Sequence, residues 1–132
     1  MNPIKSSIVL YEGKLARIIA VLEKGVNLVL LESNQRIETM ILDKITPAPI
    51  TKSFLESLGF KLEETIPGKL WEYISPDRRI ILRNDQEYLN SYNSWYIHID
   101  NEDMETIATC EISWVHQLQN LFETCEYRAI NI

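Results

Sequence analysis

Ser113-Trp114-Val115-His116-Gln117-Leu118-Gln119-Asn120-Leu121-Phe122-Glu123-Thr124-Cys125 is the stretch whose reading decides the fold. Trp114, Val115, Leu118, Leu121, Phe122 and Cys125 recur at i, i+1, i+4, i+7, i+8 and i+11. That is the 3.6-residue period of an amphipathic helix. Ser113 reads as its N-cap, and Gln117, Gln119, Asn120 and Glu123 form its polar side. A helix with one apolar stripe must cover something. The nearest partner upstream is a sheet built from residues 70–112.

That sheet is announced by hairpin signals. Leu70–Ile74 and Arg79–Arg83 flank Ser75-Pro76-Asp77-Arg78, a turn with proline in a favoured place. Trp95–Ile99 reads as a further strand, closed by Asp100-Asn101-Glu102-Asp103, and Thr106–Ile112 as one more. Residues 84–94 are polar with interspersed tyrosines. Before this region, Thr51 is placed to cap a short helix whose face is Phe54, Leu55 and Leu58. Gly59 ends it and Phe60 folds back over the end. Residues 61–68 read as a polar connection ending at Pro67-Gly68.

The N-terminal part has a different rhythm. Apolar and β-branched runs at 8–10, 14–23, 26–32 and 36–45 are separated by two- or three-residue turns. Such a pattern predicts an antiparallel meander, which at this size often closes on itself as an SH3-like barrel. Thr46-Pro47-Ala48-Pro49 reads as a stiff connector. The fold class expected is therefore α+β: a β meander, a short helix, an antiparallel sheet and a C-terminal helix packed on it. Residues 1–132 are expected as one compact domain, with sub-lobes 1–49 and 50–132.

Two segments carry a resemblance. One is Pro49-Ile50-Thr51 followed by Phe54-Leu55-Glu56-Ser57-Leu58-Gly59-Phe60. The other is Trp114-Val115-His116-Gln117-Leu118-Gln119-Asn120-Leu121-Phe122. In this order and separation they resemble small proteins of Bacteroides-type bacteria, their phages and prophages. In those, a β segment precedes a P-L-T-x-x-W-L-x-x-L-G-F helix, and a Y-V-H-Q-L-Q-N-L-Y helix closes the chain. The resembling segments cover about a quarter of the residues. This chain departs after Phe122, where Glu123-Thr124-Cys125-Glu126-Tyr127 replaces the Thr-Gly-Glu-Glu type of tail. The resemblance implies the layout and a mobile-element setting, and it implies no activity.

Composition narrows the function classes. The net charge of −6 opposes generic binding to a phosphate backbone, whose affinity comes from Lys and Arg, so nucleic acid is disfavoured as a partner. No apolar run approaches the ~20 residues that span a bilayer, and the start lacks a signal-peptide core. Cys110 and Cys125 are too few for a disulfide framework and read as two thiols in a reducing compartment, with a single 110–125 disulfide as the minority alternative. The expectation is a cytoplasmic protein without membrane contact.

Chemistry-bearing residues are sparse. Four glycines in all leave no glycine-rich phosphate loop. His98 and Asp100 share one face of a strand but lack the third and fourth ligands of a zinc site. His116 flanks the helical stripe without a nucleophile in a known spacing. Cys125 lies about 13 Å of helical rise from His116. No catalytic, metal or cofactor site is expected.

The unusual stretch is Trp71 to Tyr96. It holds six of the twelve aromatic residues and three of the six arginines. Rings stack on nucleobases and arginines bind phosphates, so this composition nominates a nucleotide-type ligand. The residues nominated are Arg78, Arg79, Arg83, Tyr88, Tyr92 and Trp95, with His116 outside the cluster. The expected function is a non-catalytic phage-type protein that sequesters a small nucleotide immune signal, closing its pocket as a homo-oligomer. The alternative is an adaptor or inhibitor that binds a host protein through an aromatic patch.

Overall fold

The computed structural model describes residues 6–40, 42–66, 70–85 and 94–132. It shows two antiparallel sheets of five strands each and two α-helices, a mixed α+β fold. Among the described residues, no helix is long and apolar enough to cross a membrane. The chain falls into two compact units. One holds the chain up to Ala48 together with Trp114–Gln119, and the other holds Pro49–Ser113 with Asn120–Ile132.

The first unit contains β1 (Ile8–Tyr11), β2 (Lys14–Leu22), β3 (Gly25–Leu30), β4 (Arg36–Met40) and β5 (Ile45–Pro47), in the spatial order β4-β3-β2-β1-β5. The hairpin between β1 and β2 is tight because Glu12 and Gly13 both take positive φ, 49° and 79°. β2 is long enough to be shared. Its residues 14–17 pair with β1 and residues 16–22 with β3, and the ladder shifts between Ile18 and Ala20. Such a bulge bends a strand and lets a small meander curl. Val9, Ala16, Ile18, Val26, Leu28, Leu30 and Ile45 gather as its core.

Two features here differ from the reading of the sequence. The run 36–45 is not one strand. It stops at Met40, and a 3-10 turn at Leu42–Lys44 leads into β5. The Thr46-Pro47 segment is not merely a connector, since Val9 pairs with Pro47 and Leu10 with Thr46. Proline survives there because β5 is the edge of the sheet, where a missing N–H costs no ladder bond.

The second unit opens with α1 (Lys52–Ser57). Thr51 caps it, its Oγ1 accepting from the Phe54 N–H at 3.1 Å. The far end closes with Gly59 at φ 93°, its N–H on the Glu56 carbonyl and the Phe60 N–H on the Leu55 carbonyl. This paired closure is the Schellman arrangement, with Phe60 buried beyond it. Then come β6 (Lys61–Ile66), β7 (Leu70–Ile74), β8 (Ile80–Asp85), β9 (Trp95–Asp100) and β10 (Thr106–Ile112), each beside its chain neighbour. β6 falls where a polar connection was expected. An edge strand needs no continuous apolar face, and Leu62 there is 45% exposed.

One face of this sheet is apolar. Tyr73, Leu82, Ile97 and Cys110 are aligned across β7 to β10, and Trp95 opposes Ile112. Tyr73 and Trp95 meet edge to face at 5.9 Å between ring centres. α1 lies on this face. Glu56 accepts from the Tyr73 hydroxyl at 3.1 Å, and the Lys52 ammonium sits 3.9 Å above the Trp71 ring.

α2 (Val115–Thr124) is helical where the period predicts. Its cap is Trp114 rather than Ser113, because Gln117 reaches back to accept from the Trp114 N–H at 3.0 Å. Its earlier residues serve the first unit. Gln119 accepts from the Ile8 N–H at 2.9 Å and donates to the Ser6 carbonyl at 3.0 Å, so one side-chain amide completes β1 as a neighbouring strand would. Its last turn and the tail belong to the second unit.

Candidate functional site

The opposite face of the second sheet carries the polar groups. Cross-strand register sets Glu63, Glu72, Arg83, Tyr96 and Glu111 in one row, and Lys61, Ile74, Ile81, His98 and Thr109 in the next. Alternation puts them all on the side away from Tyr73, Leu82 and Ile97. Tyr96 is 39% exposed, between Arg83 and Glu111 in its row. Beside it, Arg83 donates to Oε1 of Glu72 from both Nη2, at 2.7 Å, and Nε, at 3.1 Å. The pair is held across neighbouring strands, where opposite charges attract at short range.

His98, Asp100 and Thr106 form the second polar group. His98 Nε2 lies 2.7 Å from Asp100 Oδ1, and Thr106 Oγ1 lies 3.2 Å from the same nitrogen and 3.3 Å from the same oxygen. A hydrolytic triad needs the carboxylate on one ring nitrogen and the hydroxyl on the other. Here both sit on Nε2, so Thr106 and Asp100 orient the ring rather than pass a proton through it. Among the described residues, no three His, Cys, Asp or Glu side chains are grouped to hold a metal ion.

The nominated residues are distributed over several roles. Arg78 pairs with Glu63 at 3.2 Å, both side chains more than half exposed. Arg79 donates from Nε to the Asp100 carbonyl at 3.0 Å and lies over the Tyr127 ring, 5.1 Å from its centre. Arg83 stands on the polar face with Tyr96. Trp95 is buried on the other face, its indole N–H on the Ile50 carbonyl at 3.0 Å. Tyr88 and Tyr92 lie outside the described residues. His116 is in the part of α2 that belongs to the first unit. Its Nδ1 is buried without a hydrogen-bond partner among the described residues, and burial pulls its pKa down.

The turn between β7 and β8 is a polar hub of a structural kind. Asp77 accepts from the Ser75 hydroxyl at 2.6 Å, the Arg79 N–H at 3.1 Å and the Tyr127 hydroxyl at 2.8 Å. Burial alone would raise its pKa, but these donors outweigh it and hold the carboxyl below its usual range. Tyr127 answers in the opposite direction. Burial first, and then its bond to Asp77, push the phenol up to about 12. Arg78 takes φ 62°, which lets this short turn present Arg79 to β9.

The sequence did carry a signal for Tyr96 and His98. In Trp95-Tyr96-Ile97-His98-Ile99-Asp100 the apolar and polar residues alternate strictly, which assigns Trp95 to the core and Tyr96 to water. A count of aromatics by stretch merges the two faces. Glu72 and Thr106 could not be found that way, since their roles depend on which strands are neighbours. No protein family matches this chain, and no curated protein or solved structure matches it.

Proposed function

We propose that this chain is a binding protein that acts without turnover and holds a protein partner on the polar face of its second sheet. The observation that carries this is the exposure of Tyr96, cross-strand from Arg83 of the Arg83–Glu72 pair and two residues before His98 of the His98–Asp100–Thr106 group on the same face. An amphipathic aromatic ringed by fixed polar groups has the composition of an interface hot spot. Capture of partners by the tagged protein, compared with its Tyr96→Ala variant, tests this. One defined protein recovered by the first and at least tenfold depleted from the second supports the reading. Equal recovery by both rejects it.

One observation favours a nucleotide as the second reading. Arg83 and Tyr96 are register partners on this face, a guanidinium beside a ring. The protein reading is preferred because Glu72 already accepts from that guanidinium, and an incoming phosphate would have to displace it. Thermal melting against cyclic di- and trinucleotides, ADP-ribose derivatives and ordinary nucleotides separates the two. A ligand that binds only the folded chain raises the melting temperature by mass action. A rise that vanishes in Arg83→Ala would move the assignment to a nucleotide.

A further inference from the structure

The two edges of the second sheet are built differently. β6, at one end, is Lys61-Leu62-Glu63-Glu64-Thr65-Ile66, and its charges guard it against another strand. β10, at the other end, is Thr106-Ile107-Ala108-Thr109-Cys110-Glu111-Ile112, with one charge and neither lysine nor proline. It pairs with β9 on one side, and on its outer side it meets no strand among the described residues. Thr106, Ile107, Thr109 and Glu111 are exposed. An open row of backbone N–H and C=O groups is a template for another strand.

The usable part of this edge has two observed limits. The ladder to β9 shifts between Thr106 and Ala108, so the strand is irregular before Ala108. Past Ile112, the Ser113 carbonyl already accepts from the Ile50 N–H at 3.0 Å. Between these limits Ala108–Ile112 pairs regularly with β9, and its middle residue is Cys110, a free thiol. Alternation puts Thr109 and Glu111 on the polar face, opposite His98 and Tyr96. It puts Ala108, Cys110 and Ile112 on the apolar side, opposite Ile99, Ile97 and Trp95.

We propose that β10 is a homodimer interface, in which Ala108–Ile112 pairs antiparallel with the same segment of a second copy about a twofold axis at Cys110. The segment is complementary to itself in this register. Directly opposed residues share a face, so each Thr109 hydroxyl meets Glu111 of the second copy, and each Ala108 meets Ile112 of the second copy. A donor faces an acceptor, a small side chain faces a large one, and no like charges oppose. Pairing Thr109 with Cys110 instead would set the polar side of one copy against the apolar side of the other. The twofold runs perpendicular to the sheet, so the second sheets of the two copies become continuous and their polar faces look the same way. An isologous contact of this kind removes the open edge from both copies. So short a contact is smaller than a standard interface, and association in the micromolar range is expected. The interface does not use Tyr96 or Arg83 and is independent of the partner proposed for the polar face.

The test is sedimentation of the whole chain from about 1 μM to about 1 mM, which should show a monomer–dimer equilibrium. Thr109→Glu sets like charges against Glu111 of the second copy on both sides of the axis and should weaken association about tenfold. Thr109→Lys puts opposite charges there and should strengthen it. Position 109 is exposed, so both variants should keep the melting temperature of the parent chain. Mild oxidation should link the dimer through Cys110, because directly opposed residues have Cα atoms about 4.5–5.5 Å apart, within disulfide reach. Cys125→Ser should leave that link in place and Cys110→Ser should abolish it. A chain that stays monomeric at the highest concentration, a dimer that does not distinguish Glu from Lys at position 109, or oxidation that gives no link through Cys110 would each overturn the proposal.

Discussion

In the first sheet the last strand returns to pair with the first, whereas in the second every strand pairs only with its chain neighbours. The strands themselves are made alike, from short apolar runs and tight turns. What differs is where their side chains go. The return of β5 onto β1, with the bend in β2, lets Val9, Ile18, Leu28 and Ile45 meet in one interior. The second sheet keeps two distinct faces. Tyr73, Leu82, Trp95 and Ile97 are buried on one, and Arg83, Tyr96 and His98 stand on the other. The first meander gathers its apolar residues into one interior, with the first turns of α2 in the same unit. The second sheet keeps α1 on its apolar side and a polar face opposite.

The strongest challenge to this contrast is Trp95→Ala. If Trp95 is core rather than ligand site, its loss should cost about 3–5 kcal/mol, as for other buried aromatics, and denaturant unfolding would show it. A cost below about 1 kcal/mol would return Trp95 to the surface site. In the first sheet the counterpart is Gln119→Ala. It strips the Ile8 N–H of its side-chain partner and leaves the Ser6 carbonyl with the Arg17 guanidinium alone, for an expected loss of about 1–3 kcal/mol and faster hydrogen exchange at Ile8. Unchanged exchange there would mean that β1 is held without the helix.

The Asp77–Tyr127 bond gives the second unit a pH signature. The Asp77 pKa is depressed on folding, so its stabilisation is present above the unfolded value of about 3.9 and is lost as pH falls through the lower folded one. Tyr127 is raised, so its stabilisation is present below about 10 and is lost as pH rises from there to about 12. Tyr127→Phe should cost about 1–2 kcal/mol at neutral pH and flatten the alkaline decline in melting temperature. A decline that stays as steep would place its origin elsewhere.

The smallest effects belong to the polar face. Tyr96→Ala should change stability by less than about 1 kcal/mol, since exposed groups contribute little, and Arg83→Ala by about 1 kcal/mol, since it leaves Glu72, only 15% exposed, without its guanidinium. Their effect should fall on binding. A large loss of stability in either variant would mean that this face is packed and not available to a partner.

Much of the fold was legible, for reasons that differ by element. Thr51 and Gly59 bracket α1 through chemistry contained in a few residues, a side-chain acceptor and a positive φ. The ends of α2 were nearly right, but a hydroxyl at 113 and an amide at 117 both offer a cap, and only geometry chose the amide. β5 and β6 were missed because edge strands lack the alternation that burial imposes. Three residues containing Pro47 show no period, and Lys61-Leu62-Glu63-Glu64 reads as a solvated link. Of the nominated site, Arg83 lies on the face described here, Arg78 and Arg79 serve the turn and its neighbours, and Trp95 supports the core.

The sequence by itself determined the periods, the turns and the caps, because each depends on residues within one or two turns of chain. It therefore settled the α+β class, the four hairpins whose turns are short, and the amphipathic stripe that ends in Cys125. Only the tertiary structure decided that β1 pairs with β5, that Gln119 stands in for a strand beside Ile8, and that Arg83 joins Tyr96 and His98 on one face. Those facts rest on which distant segments supply hydrogen-bond partners, and local periodicity records that a side chain is buried without recording what buries it.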